Sequence, residues 1–502
     1  MWLTIVVVLL VTSLLFLIQS SSFQTWLAQK ASNFLEEELQ TEVNISAVEL
    51  HFFKTAELKG VYIQDLNKDT LLSGGRIFVE LNSFNFSDQK VNIKNITLSN
   101  TTAKLSIPKN DSVMNFQFIV NYFDTGTKVK DTSASAWDIR FNDLTLDNVN
   151  FMFKNNNEDT KATEVINFNN LRANNVSGKF SQIQFQKDTI LVALSNLRFN
   201  EQSGFTLSNL SSNLKISEKG VYCDHLDIVT PGTVIRGHVR FKHDNWEAYS
   251  DFINKVTMDV LLKPKSKVYL KDVAAFTEEL AGLMDTVKLS GKVKGTIADL
   301  SLMDFKLKLK SNTEFMGDLT IVGLPDFNNS FLHFDTKKLS TSYTDLIQIP
   351  NYPFKENKKL VLPIQLKNLG LITYNGKFDG LINDFTVYGN IRTALGSVNA
   401  DIAIKTGAKA DDLEYKGKIR TSNFNIGSLV GVKGLYNLNS DLKLKGSGVT
   451  LAKIKASMQG GITTIHFNGY EYHNIKVDGS FVNKTFNGLL VSTDPNADFD
   501  FN

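Results

Sequence analysis

The sequence predicts a mainly β protein with antiparallel pairing, preceded by one transmembrane helix and one short amphipathic helix. Three observations carry that expectation. Residues 2–18 form a nearly unbroken apolar run, apolar residues then recur at helical spacing as far as residue 40, and from residue 41 the period falls to two. A period of two sends successive side chains to opposite faces of a strand. The breaks between runs are Asn, Asp, Gly and Ser, which suit tight hairpins better than the long crossovers of a parallel sheet.

At 502 residues the chain exceeds one compact core, so two or more domains, or one elongated repetitive structure, are expected. The 36 Phe against 4 Trp and 8 Pro favour strands over a disordered tail. The 54 basic and 52 acidic side chains are spread along the chain, which leaves no footprint for nucleic acid. A single cysteine, Cys223, excludes a disulfide framework within the chain and reads as a strand thiol.

No charged side chain occurs from Met1 to Gln29. At about 1.5 Å per residue, Trp2 to Ile18 reaches roughly 26 Å, the short end of a bilayer span. Leu3, Ile5, Val8, Leu10, Leu14, Leu17 and Ile18 are assigned to that anchor. A cleavable signal has a basic start and a shorter apolar core. Neither is present, so the span (1–22) is expected to be retained, although Ser20 and Ser22 would suit a cleavage site. In the amphipathic stretch 23–40, Phe23, Trp26, Leu27, Phe34, Leu35 and Leu39 share one helical face, which either rests in the membrane interface or packs on the following sheet.

The strands fall into two stretches, 41–265 and 287–502. "MDFKLKLKS" alternates Phe305, Leu307 and Leu309 with Lys306, Lys308 and Lys310. Ile93, Ile96 and Leu98 follow the same rule with a phase shift at Lys94 and Asn95, as do Phe151 and Phe153, and Ile402 and Ile404. Leu270, Val273, Phe276, Leu280 and Leu283 predict a helical interruption at 266–286. "GKVKGTIADL" at 291–300 is echoed by "GKFDGLINDF" at 376–385, which reads as strand, turn, strand. About 30 to 40 strands are expected at ~4.8 Å spacing. The alternation is still running at residue 502, so the sheet is expected to continue beyond a truncated C-terminus.

Chemistry is sparse. The seven histidines form no metal-binding pattern; His238 and His243, five apart, would point to opposite faces of a strand. No nucleophile elbow or phosphate loop occurs, so no catalytic residue, metal or cofactor is assigned and the chain is not expected to be an enzyme.

A one-faced sheet must cover its apolar side. A second sheet would do so, and so would lipid: at about 0.8 kcal/mol per methylene, a chain of roughly sixteen carbons costs on the order of 12 kcal/mol to expose to water. Alternation alone fits both. An apolar span, an amphipathic helix and then degenerate strands, most tellingly in Val287–Phe327 and Tyr472–Asn502, resemble the AsmA/TamB-like family, particularly its TamB-like members in Bacteroidota. The resemblance implies an elongated antiparallel β-groove with an apolar interior, anchored in the inner membrane of a Gram-negative bacterium with its body in the periplasm. It implies phospholipid transport toward the outer membrane, or β-barrel assembly by β-augmentation with an Omp85-type partner through a C-terminal region not recognisable here. The groove would be lined by Ile93, Ile96, Leu98, Phe151, Phe153, Phe305, Leu307, Leu309, Ile402 and Ile404.

Overall fold

The structure, a computed structural model, describes residues 5, 20–51, 54–85, 87–88, 90–123, 138–158, 165–350, 354, 358–407, 413–448, 453–482 and 484–502. Of the anchor residues, Leu3, Val8, Leu10, Leu14, Leu17 and Ile18 lie outside that set, and Ile5 is helical and exposed. Among the described residues no helix is long and apolar enough to cross a membrane.

The body is mainly β, with 26 strands among the described residues. That is fewer than the 30 to 40 expected, because individual strands run to 18 residues. The chain divides into two compact units, residues 1–234 with 272–278, and residues 235–271 with 279–502.

The first unit opens with helix α1 (Ser21–Leu39), whose N-cap Ser20 accepts the Phe23 N–H. It continues with β1 (Val43–His51), β2 (Thr55–Gln64), β3 (Thr70–Asn85), β4 (Lys90–Ser99) and β5 (Thr102–Ile107). After a short helix α2 (Gln117–Phe123) come β6 (Asp138–Asn155), β7 (Asn170–Gln186), β8 (Thr189–Glu201), β9 (Thr206–Ser217) and β10 (Gly220–Val229). Successive strands pair antiparallel with one exception. β4 and β5 lie end to end against β3, and both pair parallel with β6. A parallel neighbour cannot be reached by a hairpin. The chain accordingly leaves the sheet after β5 and passes through α2, whose Phe118, Ile119 and Tyr122 pack with α1 over β1 and β2.

α1 settles one of the open readings. Leu27, Ala28, Ala31, Leu35 and Leu39 face the sheet, packing on Val43, Ile45 and Val48, while Trp26 and Phe34 stay exposed. Ser32 Oγ and a Glu36 carboxylate oxygen accept the N–H groups of Ile45 and Val43, so the helix also satisfies donors along the edge of β1. Burial and a hydrogen bond with Glu38 push the Tyr122 hydroxyl up to about 12.

The second unit holds β11 (Val234–Lys242), β12 (Thr257–Leu262), β13 (Lys267–Tyr269), β14 (Thr286–Gly295), β15 (Asp299–Leu309), β16 (Thr313–Val322), β17 (Phe331–Ser342) and β18 (Leu371–Leu381). It continues through β19 (Asp384–Thr393), β20 (Gly396–Lys405), β21 (Glu414–Asn425), β22 (Leu435–Ser447), β23 (Lys455–Phe467), β24 (Tyr470–Val482), β25 (Thr485–Asp494) and β26 (Ala497–Phe501). From β14 onward each strand pairs antiparallel with the next. The echoed segments lie on the β14–β15 and β18–β19 hairpins, strand, turn, strand as expected. Within 266–286 the continuous helix is broken: a three-residue strand precedes helix Leu270–Ala274, and a single 3-10 turn follows at Glu278–Leu280. Individual contacts hold that segment in place. The Asp272 carboxylate accepts from the Thr230 and Thr233 hydroxyls, and the Phe276 ring meets Phe168 and Phe205 at 6.4 and 5.3 Å.

The phase shifts in the sequence have one recurring cause. In Leu146–Val149, Ala173–Val176, Leu194–Leu197, Leu302–Phe305 and Thr421–Phe424, the third residue is Asn or Asp with φ between 48° and 56°. Asn and Asp tolerate this left-handed conformation better than other side-chain-bearing residues. Each step is a β-bulge at which the register shifts, so two residues three apart, apolar in every case but Thr421, return to the same face. The freed N–H is taken up from the neighbouring strand. Asn148 donates to Ser177 Oγ (3.0 Å), Asn196 to Ser211 Oγ (3.0 Å), Asp304 to Asp318 Oδ1 (2.6 Å) and Asn423 to Asn439 Oδ1 (2.7 Å). Asn423→Val should therefore lower stability by about 1–2 kcal/mol, whereas Asn423→Gly stays within a few tenths, read from thermal melts of the two variants.

Candidate functional site

In the first unit the candidate residues come together on one face. Ile93 lies opposite Leu81 on β3 and Ile96 opposite Val79. A spacing of three on β4 thus meets a spacing of two on β3, and the bulge falls at Lys94–Asn95 where the sequence shifted phase. Leu98 continues a row through Val48, Leu58, Ile77 and Leu146. Phe151 pairs with Ala103 and Ala173, and Phe153 with Leu105 and Leu171. Val149, Ala173 and Val176 form a small buried cluster against which Leu98, Leu146 and Phe151 pack.

The second unit repeats the pattern with more strands. One row runs Leu302, Leu319, Phe334, Phe378, Val387, Ile402 across β15 to β20. A second runs Leu307, Phe315, Leu339, Tyr374, Ile391, Val398, and a third brings Phe385, Ile404 and Tyr415 side by side. Phe315, Phe334, Phe378 and Phe385 form a chain of rings with centroids 5.8, 5.5 and 4.7 Å apart. Sequence reasoning had not singled out these rings, although the period-two spacing of Leu332 and Phe334 and the echo containing Phe378 signalled them. Leu309 pairs with Thr313 at the end of its strand.

Between the rows runs a line of small residues: Gly317, Thr336, Gly376, Gly389 and Ala400, with Phe305 at one end. Gly376 and Gly389 oppose each other with φ of 156° and 157°. A Cβ on Gly376 would lie 2.1 Å from the Tyr388 carbonyl oxygen, and one on Gly389 2.3 Å from that of Asn375. The Tyr374 side chain folds over this pair and its hydroxyl donates to the carbonyls of Lys377 (2.6 Å) and Tyr388 (3.2 Å). Burial pushes that hydroxyl up to about 12. Glycine pairs of this kind let a sheet bend sharply.

Coverage separates the ten candidates. Phe305 is only 6% exposed, its ring lying against Gly291, whereas the other nine are partly exposed. The apolar rows of each unit are thus half-covered. The opposite face alternates in register as exposed Lys, Asp, Thr and Asn, for example Lys306 and Lys308.

Reactive groups are scattered and mostly engaged. Burial pushes the Cys223 thiol up, which disfavours the thiolate. His243 lies past the end of β11, packed against Trp246 and Tyr249 at 5.2 and 4.8 Å, so it does not share a strand with His238 as the sequence suggested. Glu49, His51 and Glu57 place ligand atoms within 4.8 Å of one another. Lys59 stands 2.5 Å from Glu49 and its hydrogen bond holds that carboxyl below the usual range, while Arg76 lies 3.7 Å from Glu57. The cluster's negative charge is thus already balanced. No family model, curated protein or solved structure matches the chain.

Proposed function

We propose that this chain is an AsmA/TamB-like protein: a non-enzymatic conduit, held in the inner membrane by residues 2–18, whose apolar face forms the interior of a β-groove that carries phospholipid across the periplasm. The observation that carries the reading is the half-covered state of the apolar rows. Row after row of Leu, Ile, Val and Phe is in register, yet the side chains keep a share of their surface open. A packed sandwich would bury such residues, whereas a surface that takes and releases acyl chains keeps them accessible.

Two further features support it. Trp26 remains exposed on α1, eight residues past the apolar span, and an exposed aromatic so close to a membrane anchor suits a bilayer interface. The polar outer face, studded with lysines, suits an aqueous compartment. Ile93, Ile96, Leu98, Phe151, Phe153, Leu307, Leu309, Ile402 and Ile404 contribute apolar surface, and Phe305 supports them from below. An Omp85-type barrel is the outer-membrane partner in this reading.

The body from Ser20 onward, purified without phospholipid supplementation, should carry endogenous phospholipid detectable by mass spectrometry at one or more molecules per chain. A body that emerges empty would remove the ground for the proposal.

A further inference from the structure

We infer that the polar face of the second unit carries a binding site for a phosphate-bearing anion, built by Lys416 and Lys418 on β21 and Lys443 and Lys445 on β22. Lys416 lies directly opposite Lys445, and Lys418 directly opposite Lys443. Like charges facing each other across a ladder are unfavourable. Four lysines in a two-by-two block are therefore an arrangement that stability alone does not select.

Their neighbours, among them Asp401 directly opposite Lys418, balance part of that charge and leave the block net positive. Lys418 pairs with Asp441 at 3.1 Å, and Asp441 also receives Arg420 at 2.7 Å. At the perimeter, Asp384 stands 3.8 Å from Lys405 and Asp478 accepts from Gln459 at 2.9 Å. Lys416, Lys443 and Lys445 make no ion pair among the described residues. Asp401 and Asp478 stand on opposite walls of the same pocket.

Space is present where the charge is. A cavity of about 780 Å³ lies at the block, lined by the four lysines with Gly417 and Leu444 between them. An adjoining one of about 580 Å³ adds Lys405 and Lys455, together with Asp384 and Glu414. In register beside Lys416 and Lys445 stand Ala403 and Ser457, side chains too short to fill the gap. These volumes fall in the ordinary range of small-ligand sites. The donor set points to phosphate. Three or four compact ammonium charges converge on a multivalent anion, whereas planar carboxylates are the usual ligands of the arginine fork, and the one arginine here is spent on Asp441. Free phosphate esters and lipid headgroups share that chemistry. By alternation the lysines point away from Ile402 and Leu444, although both of these residues also border the cavity.

The full chain in nonionic detergent is titrated with inorganic pyrophosphate by calorimetry. Wild type should bind, and K416Q/K445Q should lose at least tenfold in affinity while melting without anion at the same or a higher temperature, because a repulsive pair has gone. Should that variant fold poorly, Lys443→Gln alone should still weaken binding several-fold. Lys306→Gln, a lysine removed from the same polar face elsewhere, should change nothing. Dihexanoylphosphatidylglycerol below its micelle concentration provides the second arm: competition with pyrophosphate assigns the site to a lipid headgroup, and failure to compete assigns it to a soluble phosphate. Absence of pyrophosphate binding, or binding that K416Q/K445Q retains, overturns the inference.

Discussion

Leu307→Arg should leave the protein folded and strip it of lipid. Leu307 is partly exposed on the apolar face, between Leu289 and Phe315 in its row. An arginine there can extend along the sheet toward water and keep its charge solvated. For an acyl chain, however, the position becomes hostile. A cationic side chain facing lipid hydrocarbon costs about 2–4 kcal/mol, so phospholipid retained by the purified body should fall ~30-fold or more. Phe305, two residues earlier on the same face, provides the contrast because only 6% of it is exposed and Gly291 lies against its ring. Phe305→Arg buries a charge without a partner and should cost the fold itself. The pair is read by circular dichroism melts beside lipid mass spectrometry. If Leu307→Arg melts as early as Phe305→Arg, the face is a packed core and the conduit reading fails.

Alternation made the strands legible before any coordinates were known, since Phe305, Leu307 and Leu309 against Lys306 and Lys308 admits one facing only. The breaks in alternation were legible as breaks but not as a device. Asn148, Asn196 and Asp304 each occupy the left-handed region, and the oxygen that receives their N–H lies on another strand, at Ser177, Ser211 and Asp318. Such a pairing depends on register, which no single run of residues specifies. The parallel step between β4–β5 and β6 was hidden for a similar reason. Between β5 and β6 the chain passes through α2, whose Phe118 and Ile119 pack with α1 over β1.

The same limit applied to the candidate sites. Each apolar run could be read by itself, but a packed core and an open face write the same alternation, and the sequence does not show that Ile402 and Ile404 are partly exposed while Phe305 is buried. The lysine block was further out of reach. Lys416 and Lys445 are 29 positions apart and become neighbours only through the β21–β22 register.

Gly389→Val should strongly destabilise the second unit. The new Cβ would lie 2.3 Å from the Asn375 carbonyl oxygen and 2.7 Å from the Gly376 Cα, both backbone atoms that cannot rotate away. A β-branched residue also resists the φ of 157° that Gly389 adopts. Relief requires the β18–β19 pair to flatten or separate, and with it the bend over which Tyr374 closes. A cost of about 3 kcal/mol or more corresponds to a fall in melting temperature of roughly 3–6 °C for a chain or unit of this size. Gly461→Val is the matched test, for nothing lies within 4 Å of the Cβ that it would add on β23. That variant should melt within about 1–2 °C of wild type. Because the row of small residues lies between the two apolar rows of Leu302 and Leu307, opening the bend changes the spacing between them. A partly folded Gly389→Ala protein should therefore lose phospholipid out of proportion to its loss of stability. Equal melting temperatures for Gly389→Val and Gly461→Val would mean that the glycine pair does not set the bend.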